Sequence, residues 1–275
     1  MTFSADWLAL REGADLAARN AEIADAVASR FALRDSISVV DLGSGTGANL
    51  RATAPLLPDR QTWRLIDSDE ELLLTARKEL CRWADAWTDA GGLHLSKGYA
   101  EIDVSFEVLD LSSDLAKALA APPTLVTASA FFDLVSEDFI RRLVRLCTTC
   151  GAAFYATLTF NGVQRWSPHR PADNRIAAAF HRHQLSDKGF GPAAGPMAAG
   201  FLADRFRLDG YTVFEGDSPW RLSADDRMLI GEVTRGYAVA AAEIGDVDHA
   251  TLESWLKVTR NAAEIGHTDV FAAPV

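Results

Sequence analysis

Seven consecutive residues, Asp41-Leu42-Gly43-Ser44-Gly45-Thr46-Gly47, combine a carboxylate with three alternating glycines. Glycine carries no Cβ, so such a loop turns sharply and lets its backbone come close to a bound molecule. Where a helix follows, the loop also aims free N–H groups at that molecule. Two further acids recur downstream. Asp67, followed by Ser68, can accept both hydroxyls of a ribose. Asp110 can accept a hydrogen bond from an adenine amino group, while the N–H of Leu111 reaches a ring nitrogen. The stretch Ser129-Ala130-Phe131-Phe132-Asp133 supplies small and aromatic groups suited to the flanks of a reacting centre, and Asp133 can orient an amine or accept a proton.

These groups need elements to bring them together. Residues 37–42 are apolar almost throughout, which suits a strand buried on both faces of a parallel sheet. Similar strands are predicted over 62–66, 104–109, 124–128, 152–159, 211–214 and 268–273. Helices are predicted between them, over 71–90 after a Ser68/Glu71 capping box, 113–121, 136–147, 171–185, 196–208, 224–243 and 251–264. Two helical segments over 4–31 precede the first strand, with Leu8, Leu16, Ile23 and Val27 as apolar positions. Each acid therefore falls at a strand end. Alternation of this kind predicts a doubly wound, mostly parallel sheet with helices on both faces. Ligands of such sheets bind beyond the carboxyl ends of the strands.

The glycine loop by itself fits two ligand classes, since Gly43 to Ala48 also satisfies a dinucleotide-binding pattern. Asp41 argues against that reading, because a carboxylate there repels a pyrophosphate and can instead pair with an ammonium group. The leading helices and the lack of a Tyr-x-x-x-Lys pair argue the same way. Val39 to Gly47 resembles the first motif of the class I S-adenosylmethionine (SAM)-dependent methyltransferases, and Asp67 and Asp110 match that family's later acidic positions. The resemblance implies a seven-stranded Rossmann-like sheet whose last strand is antiparallel. It implies SAM as cofactor, with Gly43, Gly45 and Gly47 around its methionine part and Asp67 on its ribose. Asp41, Ser44, Ser68, Asp110, Leu111 and Ser129 complete the expected cofactor set, with Arg11 reaching the carboxylate from a helical cap over residues 1–35. The cofactor domain is expected over 36–275, with residues 161–196 inserted as a substrate lid hinged on glycines.

The expected function is methyl transfer to an oxygen or nitrogen of a small-molecule acceptor, with Asp133 and His183 as the candidate catalytic groups. Two alternatives share the loop: a SAM-binding regulatory protein without catalysis, and a nicotinamide-dependent oxidoreductase. A formal charge of −11 without a basic run disfavours nucleic acid or anionic membrane as partner. Residues 1–7 lack a secretory pattern, and no apolar run nears the roughly 20 residues that cross a bilayer, so a cytoplasmic setting is expected. Cys147 and Cys150 have half-site spacing without a second pair, and no metal is expected. Oligomeric state is left open.

Overall fold

The first strand, β1 (Ser36–Leu42), lies at the middle of the sheet, with every residue from Val39 to Leu42 buried. A computed structural model describes residues 3–275; Met1 and Thr2, part of the stretch read for a leader, lie outside the described residues. Two helices, α1 (Ala5–Ala18) and α2 (Ala21–Phe31), precede β1, capped by Ser4 and Asn20. Along α2, Ile23, Val27 and Phe31 repeat at helical spacing and are buried. Of the positions expected to be apolar contacts, Leu16 is instead 58% exposed, because it falls outside the Trp7, Leu10, Ala14 and Ala18 stripe by which α1 packs on the body of the protein.

After β1 the chain alternates. It runs through α3 (Ala48–Thr53), β2 (Arg60–Asp67), α4 (Glu70–Trp83), β3 (Ala86–Thr88), β4 (Leu93–Lys97) and β5 (Ala100–Val108). It continues with α5 (Leu111–Ala118), β6 (Leu125–Ser129), α6 (Glu137–Cys150) and β7 (Ala153–Ser167). The last part comprises α7 (Asp173–Gln184), α8 (Ala198–Leu208), β8 (Tyr211–Asp217), β9 (Trp220–Leu222), α9 (Arg227–Ile244), α10 (His249–Leu256) and β10 (Ala262–Pro274). The strands form one sheet in the order β3-β4-β5-β2-β1-β6-β7-β10-β8, with β9 pairing β10 off this path. β5, β2, β1, β6 and β7 are parallel, and β10 inserts antiparallel between β7 and β8.

The sheet thus has ten strands among the described residues, not seven. The helix expected to reach residue 90 stops at Trp83, and residues 86–97 form the hairpin β3–β4. Trp87 and Thr88 favour extended backbone, and Gly91 and Gly92 supply the positive φ of the turn. The start of that helix also differs: Asp69, not Ser68, is the cap, its carboxylate accepting from the N–H groups of Glu71 and Leu72. Near the end, residues 262–264 are strand rather than helix, because β7 runs on to Ser167 and offers them a pairing partner. The segment 161–196 therefore begins as sheet.

The strand direction of connection reverses between β2 and β6, on either side of β1, which opens a crevice beyond the carboxyl ends of those strands. One core face packs Val40, Val126 and Ala128 against α5, α6 and α8; the other packs Val39, Leu65 and Tyr155 against α2, α3 and α4. On α6, Phe139, Ile140, Leu143, Val144 and Cys147 form one buried face, started by the Ser136 cap and ended by Gly151 in the left-handed region. A third cluster, around Phe160, Trp166, Tyr237 and Trp255, fills the space between the long ends of β7 and β10 and the helices α7, α9 and α10.

Candidate active site

The turn after β1 holds three glycines at positive φ, Gly43 at 65°, Gly45 at 52° and Gly47 at 75°. A Cβ on Gly43 would stand 2.8 Å from the Phe131 ring, and one on Gly45 would stand 3.1 Å from Leu8. The loop is tied to the neighbouring strand end: the Asp67 carboxylate accepts from the Gly45 N–H at 2.8 Å and from the Asp69 N–H at 3.0 Å. Burial raises the Asp67 pKa, and these backbone donors oppose the rise.

Around this loop lies a cavity of about 390 Å³. Arg11, Gly43, Ser44, Gly45, Asp67, Ser68, Asp110, Leu111 and Ser129 all line it, from α1 and from four strand ends. The Ser44 hydroxyl is buried without a hydrogen-bond partner. Asp110 caps α5 through the Ser112 N–H at 2.9 Å, and this bond together with the Ser112 hydroxyl lowers its pKa. One end of the cavity is closed by aromatics. Phe131 packs edge-on against Phe139 and Phe190, with ring centroids 5.8 and 5.7 Å away. Ala130, beside Phe131 and on the lining, sits at a φ of 51°, which a residue with a Cβ adopts only where its surroundings enforce it.

Two of the expected cofactor residues stand behind the wall. Gly47 does not line the cavity; a Cβ there would face Ala76 and Leu80 of α4. Asp41 is wholly buried and receives the Asn49 amide at 2.7 Å, and Asn49 in turn receives Arg19. Asn49 lines the cavity, so it stands between Asp41 and any ligand. Motif spacing gives no signal for Asn49 or Arg19, because the link between them crosses 30 residues.

The two candidate catalytic groups lie outside this cavity. His183 pairs through Nε2 with Glu243 of α9 at 2.9 Å, and its ring lies beside the Lys188 ammonium. Its neighbour His181 bonds the Gly162 carbonyl at 2.9 Å. Asp133 is buried on the side of the third core cluster, where the Gln184 amide donates to it at 3.3 Å. Burial pushes its carboxyl up to about 6, against the pull of the Arg11 charge. In place of the candidate catalytic pair, Lys188, Gly189 and Phe190 reach the cavity from the segment after α7, so the expected lid borders the same space as the glycine loop. No cluster of metal-ligating side chains occurs among the described residues, and none of their helices is long and apolar enough to cross a membrane.

Burial pushes the Asp41 carboxyl up to about 7, only partly offset by the Asn49 hydrogen bond and the Arg19 charge. An acid whose folded-state pKa exceeds its ordinary 3.8 costs the fold stability once the unfolded chain has released its proton. That cost is absent below about pH 4 and grows as the pH rises towards 7. Asp41→Asn keeps the oxygen that receives Asn49 and removes the charge. The melting-temperature difference, variant minus parent, should therefore be more positive at pH 8 than at pH 4 by on the order of 5 °C. An equal difference at both pH values would show that Asp41 carries no such burden.

No model of a protein family and no curated protein matches the sequence. Solved structures do match the fold. A Lactobacillus casei ATCC 334 protein described as cyclopropane-fatty-acyl-phospholipid synthase-like aligns over 98% of this chain and 94% of its own, with a TM-score of 0.55 at 13% identity. A Bacillus halodurans C-125 protein, provisionally described as a methyltransferase, aligns over 92% and 100%, with a TM-score of 0.50 at 12% identity. A Thiobacillus denitrificans SAM-dependent methyltransferase in complex with S-adenosylhomocysteine aligns over 99% and 100%, with a TM-score of 0.46 at 16% identity. The strand order, the antiparallel β10 and the alignments to the Lactobacillus casei and Bacillus halodurans proteins agree on a Rossmann-like, doubly wound α/β fold that the chain shares with those two structures.

Proposed function

We propose that the chain binds SAM in the 390 Å³ cavity and transfers its methyl group to an oxygen or nitrogen of a small-molecule acceptor. One observation carries this reading. Side chains and backbone separated by 118 positions, from Arg11 to Ser129, converge on one cavity, and the groups an adenosyl and an amino-acid moiety require occur in the order of the strands. Gly43, Ser44 and Gly45 would hold the methionine part, with the unpartnered Ser44 hydroxyl and Arg11 available to its carboxylate. Asp67 would receive the ribose hydroxyls. Asp110 and Leu111 would receive adenine, with Phe131 and Phe190 covering it. Asp41 acts through Asn49, fixing the loop rather than touching the ligand.

When bound, SAM supplies an electrophilic methyl on a sulfonium leaving group. The chain's own work is to align the acceptor and exclude water. Asp133 is the candidate base for a hydroxyl acceptor: it lies just outside the cavity, next in the chain to Leu134 of its lining, and its carboxylate, pushed up to about 6 by burial, is ionised at neutral pH. His183 has no such place in this reading, being committed to Glu243.

In domain terms, residues 1–35 act as a cap whose Arg11 closes one side of the cavity, and residues 161–196 contribute a lid at Lys188 to Phe190. Removing the whole glycine segment would be a poor test, because Ala193 and Ala194 are buried and the Ala194 N–H bonds the Val135 carbonyl at 2.7 Å. Phe190→Ala is the cleaner test. It should weaken S-adenosylhomocysteine binding about tenfold, from lost apolar contact, in a titration followed by calorimetry. Arg165→Ala, exposed in the same segment, should leave the affinity unchanged.

Calorimetric titration with SAM and with NAD, followed by assay of SAM turnover, tests the function itself. Micromolar SAM binding and production of S-adenosylhomocysteine with an acceptor are expected. NAD binding without SAM binding would replace this reading with the oxidoreductase, and SAM binding without turnover of any acceptor would leave a regulatory protein. A small molecule as partner accords with a cavity of about 390 Å³ and with a formal net charge of −11.

A further inference from the structure

Two walls of the cofactor cavity lie apart from the strand ends. One is the segment Lys188 to Phe190, and the other is α1, through Leu8, Arg11 and Asp15. The first is pinned. Phe190 packs edge-on against Phe131 and Phe139, with ring centroids 5.7 and 5.1 Å away. The Asp187 carboxylate accepts from the Gly189 and Gly191 N–H groups at 2.7 and 2.9 Å. α1 is held differently. Among the described residues it is the only α-helix with no buried residue. Its Trp7, Leu10, Ala14 and Ala18 lie half-buried on the third core cluster, whereas α2, directly after it, buries Ile23, Val27 and Phe31. A segment with few buried apolar contacts opens at a lower free energy than the core around it.

The ties that hold α1 down are mostly polar. One oxygen of Glu12 accepts from Nε and Nη2 of Arg51 at 2.9 and 2.7 Å. The Nη1 of the same guanidinium donates to the Thr46 carbonyl, in the glycine loop, at 2.9 Å. The Arg51 side chain is only 9% exposed, so this pair is better shielded from water than an ordinary surface pair. Further along, Asp15 accepts from the Trp220 indole N–H at 2.9 Å, and the Arg11 guanidinium lies 5.1 Å over the Trp220 ring. The end of α1 is a fixed pivot. Only Arg19 and Asn20 separate it from α2. Arg19 donates to Asn49 at 2.6 Å and to Thr53 at 2.9 Å. The Asn20 N–H donates to the buried Asp269 carboxylate at 3.0 Å, and its amide donates to the Asp217 carbonyl at 3.0 Å.

Resting on the SAM reading, we infer that α1 is the gate of the cofactor cavity. It swings on Arg19 and Asn20 to admit the cofactor and release its product, and the Glu12–Arg51 pair latches it shut. Arg51 is then a positioning residue that joins the gate to the glycine loop through Thr46. Neither Glu12 nor Arg51 lines the cavity. The latch therefore joins two protein groups without touching a ligand, and it holds α1 equally whether the cavity is full or empty. Breaking it should quicken entry and exit alike and leave the equilibrium affinity nearly unchanged, as expected where a conformational step limits exchange. A residue that only shapes the wall would change the affinity instead.

Stopped-flow mixing of the full chain with S-adenosylhomocysteine, followed by tryptophan emission, tests the gate, since the Trp220 ring lies beneath Arg11 of α1. In the parent the observed rate should level off at high ligand concentration, at the rate of opening. Glu12→Ala should raise that plateau and the dissociation rate by about fivefold each, the worth of one shielded ion pair, and change the Kd by less than about twofold. Arg51→Ala also frees the Thr46 carbonyl, so it should speed both steps and weaken binding as well. Saturable binding with a rate that climbs linearly in the parent, or with Glu12→Ala rates equal to those of the parent, overturns the gate and leaves the cofactor reading intact. Weaker binding in Glu12→Ala without faster association overturns the gate too, making Glu12 a fixed support of the wall. No saturable binding by the parent overturns the cofactor reading and the gate that rests on it.

Discussion

Gly43→Ala should raise the Kd for S-adenosylhomocysteine by about 30- to 100-fold and leave a folded protein. Two costs combine. A residue with a Cβ held in the left-handed region costs about 1–2 kcal/mol, and Gly43 sits at a φ of 65°. The new methyl would also meet the Phe131 ring at 2.8 Å. That ring cannot swing away freely, because Phe132, Phe139 and Phe190 stand edge-on around it with centroids 5.4 to 5.8 Å distant. The loop must then shift towards the cavity, where the ligand would lie. Each factor of ten in affinity corresponds to about 1.4 kcal/mol, so the two costs suffice for the predicted loss. Gly47→Ala is the matched control. Its φ of 75° brings a similar backbone cost, but its Cβ would face Ala76 at 3.4 Å, outside the cavity. It should lower the melting temperature while changing affinity by less than about threefold. Equal affinity in Gly43→Ala and the parent would remove the loop from the binding site.

The contrast between Gly43 and Gly47 also marks how much of the site is legible in the sequence. The motif spaces its glycines evenly, so all three read as ligand contacts. Only the packing of α4 against the turn separates a residue that leaves room for a ligand from one that leaves room for Ala76. The acids at strand ends were legible because short extended runs lead up to them: Asp67 closes β2 after Leu65 and Ile66, and Asp110 follows the end of β5 by two residues. Asp41 was legible as an acid but not as a buried one; it lies on the central strand β1, and its partner Asn49, itself held by Arg19, is brought to it by tertiary packing. His183 read as a pocket residue because it shares a helical face with Phe180. That face meets α9, and Glu243 takes the ring. The hairpin β3–β4 was lost for a similar reason. Residues 71–83 and 86–88 both carry apolar side chains, and a helical period extends easily over a short stretch whose strand pairing lies ahead of it in the chain.

Asp67→Asn should weaken S-adenosylhomocysteine binding about 100-fold, and the loss should lie in the ribose. In the parent, the two carboxylate oxygens already accept from Gly45 and Asp69, at 2.8 and 3.0 Å, and retain lone pairs for two hydroxyls. An asparagine keeps one oxygen. Its amide must then face either the Gly45 N–H or the Asp69 N–H, donor against donor, so the loop loses an anchor as the ligand loses an acceptor. Charge-assisted hydrogen bonds of this kind are worth about 1.5–3 kcal/mol, which sets the size of the effect. A general distortion of the loop would weaken every ligand alike, so the discriminating readout is a comparison of ligands. The parent should bind S-adenosylhomocysteine more tightly than its 2′-deoxy analogue, and Asp67→Asn should bind the two nearly equally. The pH dependence has a fixed sign as well. Burial raises the Asp67 pKa, so acidification should protonate it earlier than an ordinary aspartate and weaken binding in the parent, while the asparagine variant stays flat over the same range. A variant that loses affinity yet keeps the full preference for the 2′-hydroxyl would place the ribose elsewhere in the cavity and leave Asp67 as an anchor of the loop alone.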